Sequence, residues 1–246
     1  MARNPVRSSC AQPHQCSLDV RLRAMRMSPL LGELTPQQHL ELDEKLSAWS
    51  WADNDPILLA GEESEGSYLI VAGRVRVTRD TVDGKEITVD VAAPGDVIGP
   101  LHTSTAEAMD SAWAMDTTCA LYLPARALGD VVTDYPAFAV SLLQMQQERL
   151  ATSRTREVDQ ATKTVEQRVA AVLLDLDERM GQVRSDGSHL IQARVRRDDI
   201  AGMAGTTIES ASRAMTRLRK RGLVDAGREW VAITDAAGLR DVAEGG

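Results

Sequence analysis

No stretch of the 246-residue chain holds enough consecutive apolar residues to cross a bilayer. The amino-terminal segment carries arginines but not the apolar core of a secretory signal, so a cytoplasmic protein without a membrane partner is expected. Cysteine is scarce. Cys10, Cys16 and Cys119 are too few to build a disulfide framework in that compartment. Histidine is equally sparse: His14, His39, His102 and His189 are scattered, with no spacing that pairs a base with a nucleophile. A Gly-Lys-Ser/Thr phosphate loop is also missing, and the chain has no room for a catalytic domain beside a regulatory one. An enzyme is therefore not expected.

What is present concentrates near the carboxy terminus. Residues 196–221 read as a helix-turn-helix: Ile200, Met203 and Ala204 form a short first helix, Gly205 turns the chain, and Thr206 caps a second helix that Gly222 ends. In that second helix Glu209, Ser212, Arg213 and Thr216 share one face, while Ile208, Ala211, Met215 and Leu218 make an apolar stripe that needs burial. The polar face suits the major groove. An Arg fork matches guanine O6 and N7, a carboxylate accepts from cytosine N4, and a hydroxyl suits either. Thr206, Thr207, Glu209, Ser212, Arg213, Thr216 and Arg217 are the candidate DNA contacts, and Arg217, Arg219, Lys220 and Arg221 would hold phosphates. A purely structural reading also exists, since Thr206 and Glu209 fit a capping box and basic residues suit any helix end. The net charge of −8 means that binding must rely on the local patch from Arg213 to Arg221. A following hairpin, Leu223-Val224, a turn at Gly227 and Trp230–Ile233, adds a wing.

Between residues 53 and 125 short apolar segments alternate with glycine. Tyr68–Val71, Val75–Val77, Ile87–Val91 and Ala120–Leu123 read as strands, and Asp83-Gly84 as a hairpin turn. Gly61, Gly66, Gly73, Gly95 and Gly99 fall at the corners of an antiparallel roll. A helix starts near Thr35-Pro36, the proline at its first position. A long helix is expected from about Pro136 to Gln160, with Phe138, Leu142, Leu143 and Leu150 as its apolar side and a polar second half; Val165–Met180 is a further packed helix.

From Asp198 to Val224 the chain resembles the DNA-binding end of the Crp/Fnr superfamily of bacterial transcription factors, and the resemblance extends over most of the sequence. Glu209, Ser212 and Arg213 match the Glu-x-x-Ser-Arg motif of its Fnr branch; Ile208 stands where cyclic-AMP-sensing relatives carry Arg. The resemblance implies an α+β protein. It consists of a cysteine-bearing arm (1–33), a cyclic-nucleotide-binding-type antiparallel β-roll with its preceding helix (34–133), a long dimerisation helix (134–162) and a winged helix-turn-helix (163–246). It also implies a homodimer on double-stranded DNA at an inverted repeat of TTGAT-like half-sites, with RNA polymerase as a partner.

Cyclic-nucleotide binding is not implied. Pro100 replaces the Glu that holds the ribose in binding relatives, and Asp110-Ser111 replaces the Arg-Ser pair that neutralises the phosphate. Arg74, Arg76 and Arg79 leave room for another anionic effector or are a solvated strand face. The Fnr branch instead implies a redox-sensitive iron–sulfur cluster, of the [4Fe–4S] type, held by Cys10, Cys16 and Cys119 and responsive to oxygen or nitric oxide. Arg7 stands where relatives carry a further cysteine, which leaves the fourth ligand to His14, Asp19, Asp116 or an external group. Zinc held by the three cysteines with His14, thiol redox chemistry, a small-molecule effector in the roll, and a plain buried Cys119 are the alternatives.

Overall fold

The computed structural model describes residues 12–13 and 15–245, and these divide into two compact units: those up to 84 with 91–150, and 85–90 with 151–245. Cys10 and His14 lie outside the described residues.

The first unit opens with β1 (Gln12–Pro13), α1 (Leu18–Met27) and α2 (Pro36–Asp43). The roll follows as β2 (Ser47–Trp51), β3 (Pro56–Leu58), β4 (Glu63–Ser64), β5 (Gly66–Ala72), β6 (Val75–Asp80), β7 (Glu86–Ala92), β8 (Val97–Ile98), β9 (Ala106–Glu107), β10 (Ser111–Ala114) and β11 (Thr118–Pro124). Helices α3 (Ala125–Asp134) and α4 (Pro136–Thr162) come next; residues 86–90 of β7 and 151–162 of α4 belong to the second unit. Two antiparallel sheets, ordered β1-β2-β11-β5-β8 and β3-β10-β6-β7, form the roll, with β4 and β9 as a separate pair.

Strand alternation distributes two cores over the first of these sheets. On β5 and β11, Leu69, Val71, Cys119 and Leu121 point to a cluster with Met25, Leu42, Val131 and Phe138. Tyr68, Ile70, Ala120 and Tyr122, one residue out of phase, point into the roll with Trp51 and Ile57. With both faces covered, these strands read as continuous apolar runs, which is what made them legible.

At α2 the expected start is borne out: Gln38 N–H donates to Thr35 Oγ1 at 3.3 Å, Thr35 N–H donates to Gln38 Oε1 at 2.9 Å, and Pro36 follows the cap. The apolar residues expected along one side of α4 instead divide between two. Phe138 is buried in the helix-side core with Met145, and Leu142 packs against it, whereas Leu143 and Leu150 are exposed together with Val140 and Val158. Each α4 residue advances about 100°, so Phe138 and Leu142 fall on the face covered by the sheet while Val140, Leu143 and Leu150 fall on another.

The second unit contains α5 (Val165–Met180), β12 (Gly181–Val183), β13 (His189–Ile191), α6 (Arg197–Met203), α7 (Ile208–Lys220), β14 (Val224–Ala226), β15 (Val231–Ile233) and α8 (Ala236–Glu244). The strands make one antiparallel sheet, β12-β13-β15-β14, in which Val224 pairs with Ile233. The expected wing is present, its turn closed by Gly227 N–H donating to Trp230 O at 3.0 Å. Unexpected are the β12–β13 hairpin, the helices α1, α3 and α8, and the strands β2, β3, β4, β8, β9 and β10. In α1 only Ala24 and Met25 are buried among alternating arginines, and α8 carries a glycine, Gly238, so neither shows a strong apolar period.

Helix α7 ends in a Schellman motif: Leu223 N–H donates to Leu218 O at 3.1 Å and Gly222 N–H to Arg219 O at 3.0 Å, with Gly222 at φ 74°. A Cβ there meets open space, so the left-handed backbone alone sets the cost of a side chain. Replacing Gly222 by Ala is expected to lower unfolding stability by about 1 kcal/mol, and by Asn less, measured by urea denaturation.

Candidate functional site

The thiols occupy the helix-side face of the roll. Strand β1 pairs with β2 so that Gln12 opposes Ser50, and Ser50 also opposes Cys119 on β11; the arm therefore lies one strand away from that cysteine. Cys16, half-buried, packs against the core that contains the buried Cys119, so the two thiols lie on the same face. Burial first, and then the Cys16 thiol, push the Cys119 thiol well above its ordinary range, while the Arg21 guanidinium pulls it down. Arg21 is fixed by two bonds to Asp43, Nε at 2.8 Å and Nη2 at 2.6 Å, and its Nη1 donates to Cys16 O at 2.6 Å.

Of the other candidate ligands, Asp19 is exposed in the first turn of α1, and Asp116 Oδ1 accepts from Arg74 N–H at 3.0 Å. Among the described residues no three His, Cys, Asp or Glu side chains converge as a metal site. The donor set on the described residues is two adjacent sulfurs, which suits a thiolate-bound iron–sulfur group rather than a hard oxygen-seeking ion. The third thiol of the expected set, Cys10, lies outside the described residues.

The roll positions judged from sequence have partners within the protein, one of them an exposed pair. Arg79 Nε bonds to Asp110 at 2.7 Å, Ser111 Oγ accepts from Ala60 N–H at 3.0 Å, and Pro100 O accepts from Ser67 Oγ at 2.7 Å. Aromatic bulk fills the space between the sheets: Trp51 meets Tyr68 edge-on at 5.5 Å, and Tyr68 meets Tyr122 at 5.2 Å.

The helix-turn-helix is built on α5, α6 and α7. The carboxylate of Asp199, fully buried, accepts from Arg196 N–H at 2.8 Å and so caps α6. Gly205, at φ 58°, makes the turn. Thr207, not Thr206, caps α7, its Oγ1 accepting from Ser210 N–H at 3.2 Å. The helix thus begins one residue later than the Glu209 capping box requires, since a box closed by Glu209 needs its cap three residues earlier.

The buried stripe of α7 is Ala211, Ala214, Met215 and Leu218. Ile208, expected in it, is 51% exposed, because it sits in the first turn, ahead of the buried span. Glu209, Arg213, Thr216 and Arg217 are exposed and Ser212 is half-buried, so the expected reading face is assembled. The Glu209 carboxyl is held below its usual range by its own backbone N–H and by Thr207, and it is an anionic acceptor at neutral pH. Arg213 Nη2 donates to Ser210 Oγ at 3.0 Å.

The basic end of α7 is less free than its sequence suggests. Glu166, on the first turn of α5, accepts from Arg217 and lies 3.4 Å from Arg221, and Arg219 lies 3.2 Å from Asp225. Sequence reasoning missed Glu166, since nothing local marks a carboxylate fifty-one residues from its partner. These are solvent-facing pairs, worth little in stability, but they hold two arginines to one carboxylate. Glu166→Gln is expected to raise non-specific DNA affinity about threefold at low salt and to steepen the log K against log salt slope by roughly 1. Fluorescence anisotropy over a salt series measures both; an unchanged slope would show that Glu166 does not compete with phosphate.

Comparison with known proteins agrees with this geometry. Residues 167–242 match the Crp-like helix-turn-helix domain, and residues 49–135 match the cyclic nucleotide-binding domain. The chain is 28% identical over 225 residues to the cyclic AMP receptor protein of Thermus thermophilus, covering 90% of this chain and 99% of that one. It is 30% identical over 173 residues to the nitrogen fixation regulation protein FixK of Rhizobium meliloti, covering 68% of this chain and 73% of that one. The solved structure of FixK2 from Bradyrhizobium japonicum shares the fold, with a TM-score of 0.70 at 24% identity over 80% of this chain and 96% of that one. A helix-turn-helix with an outward reading face, joined to a roll of this topology and to these relatives, makes the chain a DNA-binding transcription regulator of the Crp/Fnr family.

Proposed function

We propose that the protein acts in the cytoplasm as a homodimer that binds an inverted-repeat DNA site, that it works on promoters with RNA polymerase, and that the thiol site at Cys16 and Cys119 sets its DNA affinity. The observation that carries the regulatory part is the packing of Cys16, beside Arg21, on the core that contains Cys119 of β11.

Cys16 and Cys119 would hold an iron–sulfur cluster, with Cys10 as the third thiolate and the fourth position left to Asp19, Asp116, His14 or an external ligand. When bound, such a cluster supplies an oxygen- and nitric-oxide-sensitive cross-link between arm and roll. The chain's own residues carry the rest. Cys119 shares its core with Met25 of α1 and with Phe138 and Met145 of α4, so fastening Cys16 to it steadies the start of α4. Arg21 ties α1 to α2 through Asp43 and keeps a positive charge beside the sulfurs. On α4, Val140, Leu143 and Leu150 recur at intervals of three and seven and face outward for a second copy, with Gln147 between them. So short an apolar seam gives a marginal dimer, which a stimulus of about 1–3 kcal/mol shifts substantially.

Two symmetric copies present two α7 helices to successive major grooves. There Arg213 and Glu209 read base edges, Ser212 and Thr216 add hydroxyl contacts, and Thr206, Thr207 and Arg217 lie against the backbone.

A second reading rests on the same packing of Cys16 against the core of Cys119: without metal, an oxidant such as dioxygen would join the two thiols as a disulfide and make the same cross-link.

Glu209→Ala combined with Arg213→Ala is expected to weaken binding to an operator selected from random DNA by about 10- to 100-fold, with little effect on non-specific DNA. Equal selectivity in footprinting would remove the DNA-reading assignment. Protein purified without oxygen is expected to contain iron and acid-labile sulfide, to lose both on Cys119→Ser, and to bind its operator less tightly after exposure to air. Iron-free protein whose air-treated form holds a Cys16–Cys119 disulfide would favour the second reading; iron-free protein with unreactive thiols and unchanged affinity would exclude both.

A further inference from the structure

One side chain in the second unit joins two helix ends. Arg168, on α5, donates from Nε to Ala204 O at 2.8 Å and from Nη1 to Lys163 O at 2.8 Å and Gln160 O at 3.4 Å; its Nη2 lies 3.5 Å from Gly205 O. Ala204 is the C-cap of α6 and Gly205 is the turn of the helix-turn-helix. Gln160 and Lys163 stand at the end of the long helix α4. Carbonyls at helix ends have no partner within their own helix, and a planar guanidinium can serve several at fixed angles, which an ammonium cannot. Gln160 reinforces the joint: its Nε2 lies 2.7 Å from where a Cβ on Gly205 would stand, so the turn is seated against it.

We propose that Arg168 is the positioning residue that fixes the helix-turn-helix on the end of α4, and that through it the protein measures the distance between half-sites. The inference rests on the homodimer reading given above. An inverted repeat is recognised only if two reading helices are held about one DNA turn apart. Each α7 is set by α6 and its turn, and Arg168 ties that turn to the helix that pairs the protomers. Residues that touch bases choose the half-site; Arg168 touches none and acts on spacing. Lys163, whose Nζ bonds to Asp159 at 3.0 Å, and Thr164, which caps α5, close the same corner from the other side.

The test compares three DNAs: the inverted repeat selected by the unmodified protein, the same half-sites with the spacer changed by two base pairs, and one half-site alone. Unmodified protein is expected to prefer the selected spacer. Arg168→Ala is expected to bind the selected repeat roughly tenfold more weakly, about 1.4 kcal/mol, to bind the single half-site within about threefold of normal, and to lose most of the spacer preference. Arg168→Lys, which keeps the charge and reaches fewer carbonyls, is expected to recover part of that preference. Sedimentation and thermal melting of both variants establish that they are folded dimers. Retained spacer preference in Arg168→Ala, or equal losses on the repeat and the single half-site in either variant, would overturn the proposal. Unmodified protein without any preference for a repeat over a half-site would instead overturn the homodimer reading, and with it this one.

Discussion

A helix that reads DNA has to be buried on one side and bare on the other, and α7 meets that constraint with four residues. Ala211, Ala214, Met215 and Leu218 are removed from water together, two of them alanines, which lets neighbouring backbones come close without bulk. That packing fixes the rotation of the helix about its axis, and so decides that Glu209, Arg213 and Thr216 point outward. The Thr207 cap and the Schellman end at Gly222 fix where the helix starts and stops. Every functional assignment in the second unit depends on this rotation, because turning the helix by a third would bury the arginines and expose the alanines.

Electrostatics follow from the same frame. A chain with a net charge of −8 binds a polyanion only where the positive charges are concentrated. Here they are concentrated and also restrained, with Glu166 and Asp225 holding three of the arginines. Such pairs lend little stability, but they set the orientation of long side chains and reduce the attraction for DNA of any sequence. The exposed side chains of Arg213 and Glu209 lie outside these pairs.

In the first unit the corresponding constraint is the double-sided sheet. Because β11 is covered on both faces, one step along it moves a side chain from the roll interior to the helix-side core. Cys119 falls on the helix side, with Phe138 and Met145 of α4, and Ala120 and Tyr122 fall inside. An event at Cys119 is thereby coupled by direct packing to the helix that carries the exposed seam. The roll interior is filled by Trp51, Tyr68 and Tyr122, and Asp110 is occupied by Arg79.

Much of this was legible in the amino-acid order, because it depends on residues a few positions apart. The caps at Thr35 and Gly222, the strands β5, β6, β7 and β11, the extents of α4 and α5 and the polar stripe of α7 all follow from periods of two or 3.6 and from the turn chemistry of single residues. The same reasoning erred by one position at the α7 cap, put Ile208 inside, and placed Phe138 and Leu143 on one side of α4. In each case the periodicity was right, and the choice of covered face belonged to neighbouring elements. What only the tertiary structure decided are meetings between distant segments: Glu166 with Arg217, and Arg168 with the ends of α4 and α6. Those depend on strand register and on the angles at which helices leave their corners, and no local repeat of residue types encodes either.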